Sequence, residues 1–331
     1  MQILDQVSNL KIIVIGDVMI DRYWWGTVDR ISPEAPVPII QLEQMSLKAG
    51  GAANVAANLA GLGATPLLFG VRGNDDEGEL IETSLAEAGI DAGYITTVAN
   101  RKTTCKTRIV AHNQHVVRID QETTNPIESG DADAVLARLF DVLPSADAVI
   151  VSDYAKGVLT GHLLSRLIKE VRGRDKLLVV DPKGRDFSRY KGASVITPNR
   201  REAGEACALE TNSSDLVQRS GDLLMNPLGL DALLITEGEH GMTLFETGHD
   251  PRHLSSLARN VYDVTGAGDT VIAAFTAAAC AGNSFITSAR LANAAAGLVV
   301  GEIGTTRITR AMLADYLSSA ENGHIVESLH A

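Results

Sequence analysis

Lys11-Ile12-Ile13-Val14-Ile15-Gly16-Asp17 reads as a strand without a polar face, ending in a turn. A strand that is apolar on both sides is covered on both sides, as in a parallel sheet between helices. The runs Thr65–Phe69, Asp147–Val151, Lys176–Val180, Ser194–Thr197 and Asp231–Thr236 repeat this character. Between them, residues 52–62, Glu77–Ala88, Thr160–Val171 and Arg200–Cys207 read as helices, and three more follow at about 267–281, 284–300 and 309–320. Strand–helix alternation predicts an α/β fold: a Rossmann-type body around a mostly parallel central sheet. Ligands then gather beyond the carboxyl ends of the strands.

Two segments break the alternation. Residues 22–45 have no helical period, are rich in Val, Ile, Tyr and Trp, and are punctuated by Pro33, Pro36 and Pro38. Residues 93–119 alternate in strand fashion, as in Thr104-Cys105-Lys106-Thr107-Arg108-Ile109-Val110. Together they predict a small β-lid inserted in one domain covering residues 1–331. The lid holds Trp24, Trp25 and the run Val37-Pro38-Ile39-Ile40, more apolar surface than a few strands can cover. A homodimer joined lid to lid is the expected cover.

A chain of 331 residues is long enough for a large core. Its net charge of −12 argues against a nucleic acid or an anionic membrane as partner. The three cysteines, Cys105, Cys207 and Cys280, are widely spaced and form no CxxC, which fits a reducing cytoplasm. No apolar run reaches the length of a membrane span, and no signal peptide is read at the N-terminus. There is no GxxxxGK[ST] loop, no GxGxxG after the first strand, no HExxH and no GxSxG.

The chemistry concentrates in Asp263-Val264-Thr265-Gly266-Ala267-Gly268-Asp269, which runs directly into the small apolar residues from Thr270 to Ala279. Gly266 and Gly268 let the backbone approach a ligand, and the N–H groups of the new helix point at the same spot. Asp269, in the first turn, can reach a hydroxyl beside an anion held there. The plainer alternative is a helix start in which Asp269 only complements the dipole. Ala49-Gly50-Gly51-Ala52-Ala53-Asn54 allows a second close approach, with Asn54 hydrogen bonding to hydroxyls, or else simply packs a helix on the sheet. Asp17 and Asp21, after the first strand, suit vicinal sugar hydroxyls or a surface turn. Asn199 and Glu202 either orient metal-bound water or cap a helix reciprocally. Asp153-Tyr154-Ala155-Lys156-Gly157 and Asp181-Pro182-Lys183-Gly184 each bring a carboxylate and a lysine to the ligand edge. Thr236-Glu237-Gly238-Glu239-His240-Gly241 is a hairpin turn or the floor of a nucleotide site.

On these residues the chain resembles the ribokinase-like carbohydrate kinases, the PfkB family. One signature of that family is similar to Ala49–Asn54 with Gly63 and Gly73 beyond, and another to Asp263–Phe275. The Asn-x-x-Glu element matches Asn199 and Glu202, and the resemblance spans nearly the whole chain. It implies Asp269 as catalytic base and Gly266, Ala267 and Gly268 as the anion hole. It implies ATP with magnesium beside Asn199, Glu202, Thr236, Gly238, Gly241, Val261, Asp263, Thr265 and Asn293, with Glu202 acting on the metal through water. A monovalent cation such as potassium is implied at Asp263 and Thr265, although the later loop Gly301-Glu302-Ile303-Gly304-Thr305 departs from the family pattern. The sugar falls to Asp17, Asp21, Gly50, Gly51, Asn54 and Asp153.

Ile31-Ser32-Pro33-Glu34-Ala35-Pro36-Val37-Pro38 and the two Asp/Lys loops look like the subfamily acting on D-glycero-β-D-manno-heptose 7-phosphate. That resemblance implies the 1,7-bisphosphate as product, on the route to the ADP-heptose of lipopolysaccharide. The sugar's own phosphate would then meet a cluster drawn from Arg108, Lys156, Lys183 and Arg185. Some members carry a nucleotidylyltransferase domain with an H-x-G-H motif; none occurs here, so a stand-alone kinase is expected. A kinase for another sugar or nucleoside, and a non-catalytic sensor on the same fold, are the competing readings.

Overall fold

In the computed structural model, which describes residues 2–112, 114–258, 264–301 and 306–322, the elements follow the expected alternation. The first half holds α1 (Gln2–Val7), β1 (Lys11–Gly16), β2 (Val18–Ile31), β3 (Pro38–Gly51), α2 (Ala52–Leu62), β4 (Thr65–Arg72), α3 (Asp76–Glu87), β5 (Ile95–Thr97), β6 (Thr104–Ala111), β7 (Gln114–Gln121) and α4 (Ser129–Val142). The second holds β8 (Ala148–Ser152), α5 (Gly161–Arg172), β9 (Leu177–Asp181), β10 (Val195–Ile196), α6 (Arg200–Ala206), α7 (Leu216–Leu228), β11 (Ala232–Thr236), β12 (Met242–Glu246), β13 (Arg252–Leu254), α8 (Ala267–Cys280), α9 (Phe285–Val299) and α10 (Arg310–Asn322).

The body sheet runs β13-β12-β11-β10-β9-β8-β1-β4-β5. From β11 to β5 every pairing is parallel. The edge pairs β11–β12 and β12–β13 are antiparallel. The apolar run of β1 explains its place: Ile12, Ile13, Val14 and Ile15 are fully buried. Ile12 and Val14 enter a core with Leu59 of α2, Phe275 of α8 and Leu291 of α9. Ile13 and Ile15 enter the opposite core with Leu136 of α4 and Leu164 of α5. Because successive side chains alternate faces, one strand without polar residues serves both layers.

Three helices lay outside the sequence expectations: the short α1, α4 and α7. In α4, buried Ala132, Val135, Leu136 and Leu139 keep helical spacing beneath an acidic and small-residue start. In α7, Gly221 and Pro227 obscure a pattern that buries Leu216, Leu224 and Leu228. The lid also differs from the boundaries 22–45 and 93–119. Its sheet runs β3-β2-β6-β7 and begins at Val18, because the chain passes from β1 through Asp17 straight into β2. β5, expected in the lid, pairs with β4 in the body instead. The central lid pair β2–β6 is parallel, and β2–β3 and β6–β7 are antiparallel. The three cysteines are free. Among the described residues no helix is long and apolar enough to cross a membrane.

Candidate active site

The carboxyl ends of β1, β8, β9, β10 and β11 open on one edge, where α8 begins and the lid rises. Gly266 takes a left-handed φ of 81° and starts α8 without a side-chain cap. Of the three residues read as the anion hole, Gly266, Ala267 and Gly268, the middle one has its N–H turned back on Val264 O at 3.2 Å. The next amides, those of Gly268 and Asp269, belong to the first turn of α8, where N–H groups lack an intrahelical carbonyl partner. Among the described residues outside its own helix, a Cβ on Gly268 would meet only Asp181 Oδ2, at 4.0 Å. Packing within the protein therefore does not require glycine at that position; a ligand pressed against the backbone would.

Asp269 is 3% exposed although ionisable. Its Oδ2 accepts from Asn54 Nδ2 at 2.7 Å, and its Oδ1 from the Tyr154 hydroxyl at 2.6 Å. Burial pushes its carboxyl up to about 6, opposed by these two hydrogen bonds. A carboxylate so placed is a proton acceptor that titrates just below neutrality. Asn54 reaches it from α2, whose start at Gly51 (φ 58°) has no room for a Cβ against Asp17 O. Gly50 likewise lies under Asp21 Oδ2.

Several residues expected to read the sugar are engaged by the protein. Asp17 accepts from the N–H groups of Tyr154, Lys156 and Val158 at 2.9, 3.0 and 3.2 Å. Burial, the largest effect, raises its pKa. It thus holds the loop after β8. Asp153 accepts from Ala155 N and the Tyr190 hydroxyl, both at 2.7 Å. Asp21 and Arg108 pair with each other in the buried lid, with the guanidinium 5.3 Å from the Tyr23 ring.

The expected phosphate cluster separates. Lys183 Nζ pairs with Glu202 Oε1 at 2.6 Å, and Arg185 lies exposed, 3.9 Å from Glu205. Lys156 pairs with Glu122 at 2.7 Å. The side chain around which cations do gather is Lys106, which the sequence reading left unassigned. Burial lowers its pKa most, and Lys156, Arg108 and Arg118 lower it further by repulsion, against Asp21. It makes no ion pair among the described residues and lies 5.5 Å above the Tyr154 ring. Strand alternation was the available signal: Lys106 and Arg108 share a face of β6.

On the other side of α8's start is a cavity of about 340 Å³. It joins Thr236, Gly238, Gly241 and Asn293, four residues expected at the nucleotide, to Gly268 of the expected anion hole, with Ser256, Val271 and Gly297. Asn293 Nδ2 donates to Ser255 O at 2.7 Å, which holds one wall. Asn199 and Glu202 form a reciprocal cap at the start of α6: Glu202 N donates to Asn199 Oδ1 at 2.9 Å, and Asn199 N to Glu202 Oε2 at 3.1 Å. The cap leaves Glu202 Oε1 to Lys183. Asp181 stands nearby with its carboxyl raised well above the usual range by burial, Asp269 and Glu202. Val261, Asp263 and residues 302–305 lie outside the described residues; Thr265 sits in the turn before α8. Among the described residues no group of three His, Cys, Asp or Glu side chains could hold a metal ion alone. Magnesium shared with phosphates and water takes only one or two carboxylates; Asp181 and Glu202 are two that lie close enough for Glu202 to raise the Asp181 carboxyl.

This architecture is similar to that of solved sugar kinases. Ribokinase from Arabidopsis thaliana, complexed with ribose and ATP, superposes with a TM-score of 0.74 at 22% identity, over 93% of this chain and 98% of that one. Phosphofructokinase-2 from Escherichia coli, in complex with potassium, gives 0.76 at 16% identity, over 94% and 99%. In sequence, the chain is 46% identical over 306 residues to the bifunctional protein HldE of Azotobacter vinelandii, and 45% over 306 residues to that of Pseudomonas aeruginosa. In each case the match covers 92% of this chain, and the chain spans 63% of the relative's length. Residues 9–311 match the pfkB family carbohydrate kinases. On that match and those relatives, the chain belongs to the pfkB family of carbohydrate kinases.

Proposed function

We propose that the chain transfers the γ-phosphoryl group of ATP to the anomeric hydroxyl of D-glycero-β-D-manno-heptose 7-phosphate. The observation that carries this reading is a polarised site. Asp269 and the first turn of α8 stand between a nucleotide-sized cavity and the cations around Lys106. The sugar's hydroxyl loses its proton to Asp269 as its oxygen bonds to the γ-phosphorus and the bond to ADP breaks. The transition state is loose and its charge sits on the equatorial oxygens, so donors at Gly268 and Asp269 contribute through placement. Lys183 and Glu202 serve the nucleotide's phosphates; Lys106, with Lys156 and Arg118, serves the phosphate of the sugar. Asp17 and Asp153 shape the loop between them. Magnesium, when bound, neutralises phosphate charge, and Glu202 and Asp181 are the residues that would hold it. Asp263 and Thr265 remain the proposed monovalent-cation site.

The test is ADP release with a panel of free and phosphorylated sugars. Heptose 7-phosphate should lead it by a wide margin; equal use of a free sugar or a nucleoside would replace the heptose reading with the broader kinase one. Because Asp269 must be ionised to accept a proton, and its carboxyl titrates at about 6, kcat/KM should fall about tenfold per pH unit below that point and stay level above it. A profile flat down to pH 5 would remove Asp269 from the role of base.

The lid's outer face supports a homodimer. Trp24 and Met45 are register partners, as are Ile109 and Val117, and Thr107 and Ile119. Met45 is 65% exposed, Ile119 51% and Val117 46%. An isologous contact would cover this row. Sedimentation at micromolar concentration should give about twice 35.1 kDa, and Met45→Glu should return the mass to that of one chain. A monomeric, fully active wild type would rule the dimer out.

A further inference from the structure

We propose that Tyr154 is a positioning residue for the phosphoryl transfer, its hydroxyl fixing the Asp269 carboxylate in the orientation that meets the acceptor. The proposal rests on the kinase reading above and adds a second side chain to its base. The contact is 2.6 Å from the Tyr154 oxygen to Asp269 Oδ1, while Asn54 holds Oδ2. A carboxylate anchored through both oxygens cannot turn, and each oxygen keeps a lone pair for an incoming hydroxyl.

The aim of Tyr154 is itself fixed. Its backbone N–H is one of the three that Asp17 binds. The next residue, Ala155, takes a φ of 54°, a left-handed conformation that a non-glycine residue holds only where its surroundings impose it. Here the Ala155 N–H is tied to Asp153 Oδ1 at 2.7 Å. From the lid, Lys106 covers the phenol ring at 5.5 Å. One side chain thus touches the base through its hydroxyl and the lid's cation through its face.

The hydroxyl is a permanent donor: burial, Asp269 and Asp181 keep the phenol protonated far above its ordinary range. Around Asp269, the lid presents Asp21 and Lys106, the end of β9 presents Asp181, and α2 presents Asn54. Asp21 favours the protonated carboxyl; Tyr154, Asn54 and Lys106 favour the ion. Losing Tyr154's proton donation therefore makes the base harder to ionise, and a better donor makes it easier.

The experiment compares kcat across pH for the wild-type chain, Tyr154→Phe, and a chain with 3,5-difluorotyrosine at 154, whose phenol is more acidic. Tyr154→Phe should lower kcat by about tenfold and move the acid limb up by about one pH unit, leaving the KM for ATP unchanged. The fluorinated residue should move the limb down. If neither variant moves the limb, or both move it the same way, Tyr154 only packs and the proposal falls while the kinase reading stands. If the wild type releases no ADP with any sugar or sugar phosphate, both fall. Should Tyr154→Phe fail to fold, the fluorinated chain, which keeps every contact, decides by itself.

Discussion

Asp269→Asn should lower turnover by about a hundredfold or more, the range in which loss of a general base falls. The amide keeps the shape of the carboxylate, and the Tyr154 hydroxyl can rotate to accept where it had donated. It cannot take a proton from the sugar. Nucleotide binding should survive, because the cavity of Thr236, Gly241 and Asn293 does not use this carboxylate and the anion-facing groups are backbone. Single-turnover kinetics and calorimetric titration with nucleotide separate the two effects. Near-normal turnover would mean that another group takes the proton; loss of both turnover and binding would mean that Asp269 holds up the start of α8 instead.

Lys106→Met should raise the KM for heptose 7-phosphate by about ten- to a hundredfold, the equivalent of one charge-assisted hydrogen bond of roughly 1.5–3 kcal/mol. Methionine keeps the apolar stem over the Tyr154 ring and removes only the ammonium. In a chain of net charge −12, a dianionic sugar needs such a local positive site to enter. Heptose without its phosphate should be a poor substrate and indifferent to this change. Lys183→Ala should act on the other substrate, raising the KM for ATP, because its ammonium lies on Glu202. A Lys183 variant impaired for the sugar and a Lys106 variant impaired for the nucleotide would invert the proposed polarity of the site.

The body of the fold was legible because its signal is local. Ile12 to Ile15 state their two-sided burial in four letters, and α8 announces itself by a glycine turn followed by small apolar residues. The same locality singled out Asp269, Asn54, Thr236, Gly241 and Asn293, which the fold gathers around the start of α8 and the cavity beside it. Partnership was not legible. Whether Asp17 faces a sugar or three backbone amides depends on where the 154–158 loop comes to rest, far along the chain. Arg108 and Asp21 neutralise each other only because β2 and β6 lie in register, with Asp21 opposite Lys106 and Tyr23 opposite Arg108. Lys183 and Glu202 meet across the ends of β9 and β10 for a similar reason. Tyr154 was read as part of a loop motif without a role, since nothing near it in sequence discloses a carboxylate from α8.

The parallel pairing at the centre of the lid has a kinetic consequence. Met19 pairs with Thr104, so β2 must wait for its inner neighbour while α2, β4, α3 and β5 are made and packed. Contacts that close so long a loop form late in folding and are poorly represented in the transition state. Mutations that weaken the β2–β6 seam should therefore hasten unfolding more than they slow folding. On the ribosome, the β2–β3 hairpin emerges first, and its β2 edge stands unpaired beside Trp24 until residues 104–111 arrive. For that interval the nascent chain presents an open strand edge beside apolar side chains, the combination most prone to pair with a neighbouring copy before its own sequence can close it.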